Sequence, residues 1–314
     1  MRWFRWGRDR RRAVPSDAPA DGALPELTVD QAARLASTAR QAFAECGVET
    51  VIGDGALHGA DGNVLGLSNL AQIAAGTPER EWPSLLRRHA QVMVAAQELP
   101  VPQDLDAVRD QVFLRVLPAA DLPFPVVDPL MSVGDLVGVL SIDYPEHIST
   151  LTRAEDIERL GGRDAVHEVA HTNLLGLRAD TVTVLGGDDP DQGTVHLSLG
   201  GFFNASRMFV LDAVLRQDFG LESPSHGVLV AVPNRHVLAV HPLTGIDCVQ
   251  AVQTLVALAR GESDRPGGVS PHVYYWRDRR WEQVTRDSDD GSIEVDATGM
   301  FGEAMKEIGL LGED

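Results

Sequence analysis

The chain has 314 residues, of which 44% are hydrophobic and 5% aromatic, enough for one large domain or two modest ones with an aliphatic core. Its 46 acidic residues outnumber its 27 basic ones, and the net charge of −19 argues against nucleic acids and anionic membranes as partners. No apolar run approaches the roughly 18 residues that a membrane span requires, so we expect no stable membrane insertion.

Residues 1–25 are predicted to be a basic, disordered arm followed by a linker. The arm, "MRWFRWGRDRRR", has six arginines and one aspartate. It lacks the apolar region and the small-residue cleavage site of a signal peptide, so the cytoplasm is the expected location. A functional alternative is an arm that touches a membrane surface or the acidic face of the protein itself.

Residues 26–99 are predicted to form a small α-β-β-α domain, with a third strand as an option. Thr28 and Gln31 have the spacing of a helix-capping box, and apolar residues follow at helical spacing until Gly47. The predicted stripe consists of Val29, Ala32, Ala36, Ala39 and Phe43. Short strands with Gly-Asp and Asp-Gly turns are predicted over residues 48–70, and a second helix is predicted after Thr77-Pro78.

Residues 112–262 are predicted to form a larger domain. It opens with the strand "VFLRVLP" and continues through three blocks in which strands are followed by helices. This pattern predicts an α+β fold, in which antiparallel sheets have helices packed on one face. Residues 263–314 are predicted to add a strand, "HVYYWRDRRWEQV", and an acidic tail with a short helix near Met305.

Three residues of a predicted helix, His167, Glu168 and His171, match the H-E-x-x-H signature of zinc peptidases. In those enzymes the two histidines bind Zn²⁺ and the glutamate takes a proton from the metal-bound water. Here Leu174 and Leu177 occupy the positions of the metzincin glycine and third histidine. The histidines are also expected to point roughly 120° away from the buried stripe, toward solvent. We therefore predict no metal site and keep a zinc-dependent peptidase or hydrolase as the alternative.

Asn204, Ser206 and Arg207 stand at the predicted start of another helix. Asn204 is a candidate N-cap, which would place the other two in the first helical turn. A cation there opposes the helix dipole, so Arg207 is expected to have an anionic partner. That partner is either internal, with Asp143 and Asp180 as candidates, or an external carboxylate or phosphate.

Six short stretches between residues 113 and 260 resemble the YtpQ-like family of uncharacterised bacterial proteins. They are "FLRVLP", "DLVGVLSIDYP", "LTRAEDIERLG", "HTNLLGL", "FFNASRMFVLDAVL" and "GVLVAVPNRHVLAV". The resemblance includes Asn173 and Leu174 but requires no histidine at positions 167 and 171. It implies a fold and no reaction, because the family has no established activity. Residues 26–99 separately resemble the α-β-β-α modules of secretion-chaperone-like proteins in their order of elements.

The leading functional hypothesis is a non-enzymatic, cytoplasmic binding or chaperone-like protein that acts on protein partners. It rests on the incomplete catalytic sets, the acidic composition and the family resemblance. No cofactor is predicted. The candidate binding residues are Asn204, Ser206, Arg207 and Asn173, although Asn173 is expected to satisfy neighbouring backbone groups.

Overall fold

The computed structural model describes residues 18–60, 64–98, 102–122, 131–145, 147–151, 153–186, 193–222, 224–288 and 292–312. The chain divides into two compact units, one up to residue 98 and one from residue 99 onward. The predicted basic arm lies outside the described residues. Among the helices that are described, none is both long and apolar enough to cross a membrane.

The first unit combines helices with a small antiparallel sheet. Its helices are α1 (Val29–Glu45), α2 (Ser68–Ala75) and α3 (Trp82–Glu98). Its strands, in the spatial order β1-β2-β3, are β1 (Thr50–Ile52), β2 (Ala56–Gly59) and β3 (Val64–Gly66). The aliphatic core predicted from the composition is present, with Leu35 of α1 and Leu57 of β2 completely buried.

The capping box predicted at the start of α1 is confirmed. Thr28 Oγ1 accepts a hydrogen bond from the backbone N–H of Gln31 at 3.3 Å, and Gln31 Oε1 accepts one from the backbone N–H of Thr28 at 3.1 Å. The predicted apolar stripe of α1 is buried apart from Val29, which lies in the first turn and is 47% exposed.

Two predictions for the first unit are wrong. The sequence reads as strands through residue 70, whereas α2 begins at Ser68, and Leu67 at its N-cap position has no side chain that could signal a helix start. The predicted linker extends to residue 25, yet Leu24 is 3% exposed within the core and Ala20 pairs with Thr28. The folded unit therefore begins earlier than the proline-rich composition indicates.

The second unit has an α+β fold, as predicted, with antiparallel sheets. A six-stranded sheet has the order β13-β12-β10-β11-β9-β8, and in a four-stranded sheet β6 pairs with β4, β5 and β7. The strands are β4 (Val112–Pro118), β5 (Met131–Val133), β6 (Leu136–Asp143), β7 (Ile148–Thr150), β8 (Thr181–Leu185), β9 (Val195–Leu199), β10 (Val228–Asn234), β11 (Val237–Pro242), β12 (Val273–Arg277), β13 (Arg280–Gln283), β14 (Thr285–Asp287) and β15 (Ile293–Val295). The helices are α4 (Ala154–Arg159), α5 (Arg163–Gly176), α6 (Leu211–Phe219), α7 (Asp247–Ser263) and α8 (Met300–Glu307), and a 3-10 helix, Ala205–Val210, precedes α6.

The six-stranded sheet is covered on both faces, which corrects the prediction of helices on one face. Val228 and Val230 of β10 belong to the core shared with α5 and α6, whereas Leu229 and Ala231 belong to the core shared with α7 and α8. All seven residues of β10 are buried. A continuous apolar run such as "VLVAV" is typical of a strand that is covered on both sides.

The predicted segment 263–314 contributes β12 and β13 to the six-stranded sheet, whereas β14 and β15 form a separate two-stranded sheet. Its predicted single strand is a hairpin, because the chain turns at Asp278 and Arg279, and β12 pairs with both β13 and β10. Both turn residues have left-handed backbone angles, with φ of 50° and 61°. The predicted helix near Met305 is confirmed as α8.

The four-stranded and six-stranded sheets differ in how an edge strand is covered, as β4 and β8 show. At β4, the backbone N–H of Val116 donates to Ser206 Oγ at 3.0 Å and the carbonyl of Val112 accepts from Asn173 Nδ2 at 2.7 Å. These contacts cover an edge that would otherwise expose backbone groups. At β8, the outermost strand of the larger sheet, Val182 is 44% exposed and Val184 is 50% exposed.

Candidate functional site

Arg207 lies in a buried internal ion pair. Its guanidinium binds the Asp218 carboxylate through two bonds, Nη1 to Oδ2 at 2.6 Å and Nη2 to Oδ1 at 3.0 Å, with side chains 1% and 3% exposed. The partner is therefore internal, although it is neither Asp143 nor Asp180. A guanidinium that is buried and already binds both oxygens of a carboxylate has no room for an external anion.

The other predicted binding residues also make internal contacts. Asn204 has helical φ and ψ and forms no capping bond, so the predicted N-cap is wrong. Its Nδ2 donates instead to the carbonyls of Ser198, at 2.8 Å, and His236, at 3.1 Å. Asn173 Nδ2 donates to the carbonyls of Arg109 and Val112, both at 2.7 Å, so its predicted role in satisfying backbone groups is confirmed.

A break in the helix explains why Asp218 escapes a sequence-based search. Residues 204–220 have the pattern of one continuous helix, which would separate Arg207 from Asp218 by about 16 Å along the axis. The chain instead leaves the 3-10 helix at Val210, where φ is −121° and ψ is 35°, before α6 begins. This change of direction brings the two ends of the pair together.

A cleft in the second unit lies beside this network. Its volume is about 520 Å³, and α5, the 3-10 helix, α6, β5 and the β12–β13 hairpin all contribute to its walls. The lining residues are Met131, His167, His171, Leu175, Met208, Phe209, Val210, Leu211, Asp212, Ala213, Arg216, Trp276, Arg279 and Trp281. A concave site of this volume with mostly apolar walls and a few polar groups is the usual form of a ligand pocket.

The two histidines of the H-E-x-x-H motif face this cleft, which corrects the expectation that they face open solvent. Both are half-buried, and their ring centroids are 6.1 Å apart. Burial lowers the pKa of His167, and the nearby His171 and Arg163 lower it further, whereas Asp164 raises it. His167 is therefore mainly neutral near pH 7.

Two arginines supply positive charge at the cleft. Arg216 of α6 is exposed and makes no described ion pair. Arg279 has a side chain that is 89% exposed, and its Nε lies 3.7 Å from Asp212 Oδ2. A pair that is this long and this exposed is weak, so the Arg279 guanidinium remains open to another anion.

The β12–β13 hairpin contributes two tryptophan side chains to the wall of the cleft. Trp276 is 6% exposed and Trp281 is half-buried, with ring centroids 6.4 Å apart. The two tryptophans face each other across the strands, since they are directly paired in the hairpin register. The sequence "WRDRRW" places them symmetrically around a two-residue turn, and recognition of that turn would have revealed the pair.

The structure does not bring together the groups that a zinc peptidase site requires among the described residues. Glu168, which would act on the metal-bound water, is exposed and lines a separate depression of about 440 Å³ with Arg109, Asp110 and Asn173. Across the described parts of the chain, no group of three His, Cys, Asp or Glu side chains is placed to hold a metal ion. The histidine pair thus has no third ligand among those residues.

A second polar cluster, which was not predicted, joins the turn between β5 and β6 to β12. Tyr274 is completely buried, and its hydroxyl donates a short hydrogen bond to Asp135 and lies 2.6 Å from Ser270 Oγ. Burial raises the pKa of Tyr274, and the Asp135 carboxylate raises it further. The Tyr274 hydroxyl, held in its protonated form, donates to Asp135 and accepts from Ser270, so it ties these elements together in a structural role.

Comparison of the chain with protein-family models, curated proteins and solved structures finds no match. The resemblance of residues 113–260 to the YtpQ-like family therefore stays a prediction. The chemistry of the cleft is the remaining basis for a function.

Proposed function

We propose that this protein is a non-enzymatic binding protein that takes part of a partner protein in the cleft of its second unit. The observation that carries the proposal is the combination of Trp276, Trp281, Arg216 and Arg279 around one cavity. Tryptophan and arginine are the residue types that most often dominate the energy of protein interfaces. Two methionines, Met131 and Met208, add side chains that adapt to irregular surfaces.

The rigidity of the walls also supports a binding role. Two buried networks hold the elements that form the cleft, one through Arg207 and Asp218 and the other through Tyr274 and Asp135. A site whose side chains are already held in position loses less conformational entropy when a partner binds. Among the described lining residues there is no Ser, Thr, Cys or Lys to serve as a nucleophile.

Site-specific photocrosslinking in cells tests the proposal. A photoreactive benzoylphenylalanine at Leu175, inside the cleft, should capture a partner protein, and Trp281→Ala should abolish the capture. The matched control places the same group at Val249 of α7, which is 51% exposed on the opposite side of the sheet. Equal capture from both positions, or capture that survives Trp281→Ala, would count against the cleft.

The zinc-dependent hydrolase stays the alternative because His167 and His171 face the same cleft. Metal analysis of protein purified without chelator distinguishes the two proposals. About one equivalent of zinc that is lost in His167→Ala, together with peptide hydrolysis that is lost in the same variant, would favour the hydrolase. Protein without stoichiometric zinc would favour the binding role.

A further inference from the structure

The charge of the cleft is opposite to that of the chain. The whole chain carries −19, whereas the cleft lining, within the described part of the chain, has two arginines, two histidines and a single acidic residue, Asp212. Two other exposed arginines of the same unit, Arg109 and Arg286, lie 2.7 and 2.8 Å from a carboxylate. Arg216 makes no described ion pair, and Arg279 only approaches Asp212, so this cleft keeps cations available in an acidic protein.

The position of Arg279 comes at an energetic cost. It and Asp278 form a two-residue hairpin turn in which both residues have positive φ. Asn-Gly is the usual solution for such a turn, because a left-handed backbone costs most other residues roughly 1 kcal/mol or more. Backbone strain of this kind clusters at functional sites, and here it presents a guanidinium at the rim of the cleft.

The apolar wall restricts the class of anion. Trp276, Trp281, Met131 and Leu175 line the cavity beside the two arginines. A free inorganic anion would leave this surface in contact with water, whereas an anion that carries an apolar neighbour would cover it. A guanidinium binds a carboxylate through two parallel hydrogen bonds, which fits the acidic side chains of a protein partner.

We infer that the cleft recognises an acidic segment of a partner protein, in which carboxylates contact Arg216 and Arg279 and an adjacent apolar side chain packs on the tryptophans. This inference rests on the proposed function and names the chemistry of the partner. The acidic segment must overcome long-range repulsion from the rest of the chain. Binding is therefore selective for segments that place an apolar residue next to their carboxylates.

Two peptides that differ only in charge test the inference on the full chain. The acidic probe is Ac-Glu-Phe-Glu-NH₂ and the neutral probe is Ac-Gln-Phe-Gln-NH₂, with binding followed at the indole N–H signals of Trp276 and Trp281 by NMR. We expect the acidic peptide to bind at least about tenfold more tightly, since two charge-assisted contacts are gained. Arg216→Gln/Arg279→Gln should remove this preference and retain the weak binding of the neutral peptide.

The matched control is Arg280→Gln, which removes the same charge from the same hairpin at an exposed residue outside the cleft lining. It should retain the preference. Equal affinity for the two peptides would overturn the acidic inference and leave the proposed function standing. Failure of both peptides to bind up to about 10 mM, or inorganic phosphate that binds more tightly than the acidic peptide, would also overturn it. The photocrosslinking result then decides the proposed function separately.

Discussion

Arg207 shows how a side chain can be essential to a fold and still resemble a ligand-binding residue in sequence. Two of its guanidinium nitrogens pair with Asp218, while its Nε is buried and has no hydrogen-bond partner among the residues that the structure describes. A buried pair of this kind gains little net stability over apolar side chains, but the loss of one partner leaves a charge without compensation. The pair therefore fixes the direction of the chain between the 3-10 helix and α6.

Arg207→Met should lower the free energy of unfolding by about 3–5 kcal/mol, because the Asp218 carboxylate would remain buried and unpaired. Urea unfolding, followed by near-ultraviolet circular dichroism, measures the change. Arg109→Met is the control, since the Arg109–Asp106 pair is exposed and should contribute no more than about 0.5 kcal/mol. A loss below about 1 kcal/mol in Arg207→Met would contradict the structural role.

His167 makes acidic-peptide binding depend on pH. A bound carboxylate favours the protonated imidazole, so binding raises the pKa of His167 and affinity rises as pH falls. Because burial and His171 lower this pKa in the free protein, the gain should appear below about pH 6.5 and end near pH 4.5, where glutamate is protonated. The charged groups around it are His171, Arg163 and Asp164 on α5, Asp212 and Arg216 on α6, and Arg279 on the hairpin.

Titration of the acidic peptide between pH 7.5 and 5 checks this expectation. His167→Gln should flatten the profile, whereas His58→Gln, in the first unit, should leave it unchanged. If affinity depends on pH just as steeply in His167→Gln, the pH dependence comes from another titratable group.

At the scale of elements, the patterns that were predicted correctly are those with local signals. The α1 capping box and α8 each have their determinants within a few consecutive residues. The start of α2, the break at Val210 and the Asp278–Arg279 turn have no such signal, because packing overrides the local preference. The cleft depends on the last two, so it could not be assembled from the sequence.

Gly138 on β6 gives space to one wall of the cleft. A Cβ at this position would lie 2.9 Å from Phe209 Cζ and 3.6 Å from Met131 Cβ, and both side chains line the cavity. Gly138→Ala should therefore displace Phe209, cost about 1–3 kcal/mol and weaken binding of the acidic peptide. At Gly261 in α7, an added Cβ would meet no atom within 4 Å apart from the adjacent residues and the backbone of its own helix. Gly261→Ala should therefore stabilise the protein by about 0.5–1 kcal/mol. Unchanged peptide affinity in Gly138→Ala would show that the position of Phe209 does not affect peptide binding.

At the scale of the whole molecule, the chain has separate cores in its two units. The core of the first unit contains Leu35 and Leu57, and those of the second contain Leu174 and Leu255 among the residues described. The composition predicted aliphatic cores of this kind, and the α+β class followed from the order of elements. The sequence did not show that strands after residue 263 complete the larger sheet, since strand pairing across 40 residues has no local signal.

Leu35→Ala should destabilise the first unit by about 2–5 kcal/mol, because the shortened side chain leaves a cavity in the core of that unit. Peptide binding in the second unit should stay unchanged, because no residue of that core lines the cleft. Leu174→Ala is the counterpart and should destabilise the second unit. Hydrogen exchange read by mass spectrometry on peptides from each unit measures the two effects. Faster exchange in both units after Leu35→Ala would show that they unfold together.

The turn at Asp278 and Arg279 places stability and recognition in conflict. Selection or engineering for thermal resistance alone would favour Asn-Gly at these two positions, and that exchange removes a cation from the rim of the cleft. A consensus-based stabilisation of this protein would therefore tend to erase its selectivity for acidic partners. Retention of an unfavourable dipeptide in related chains would then be a practical marker of which of them kept the same preference.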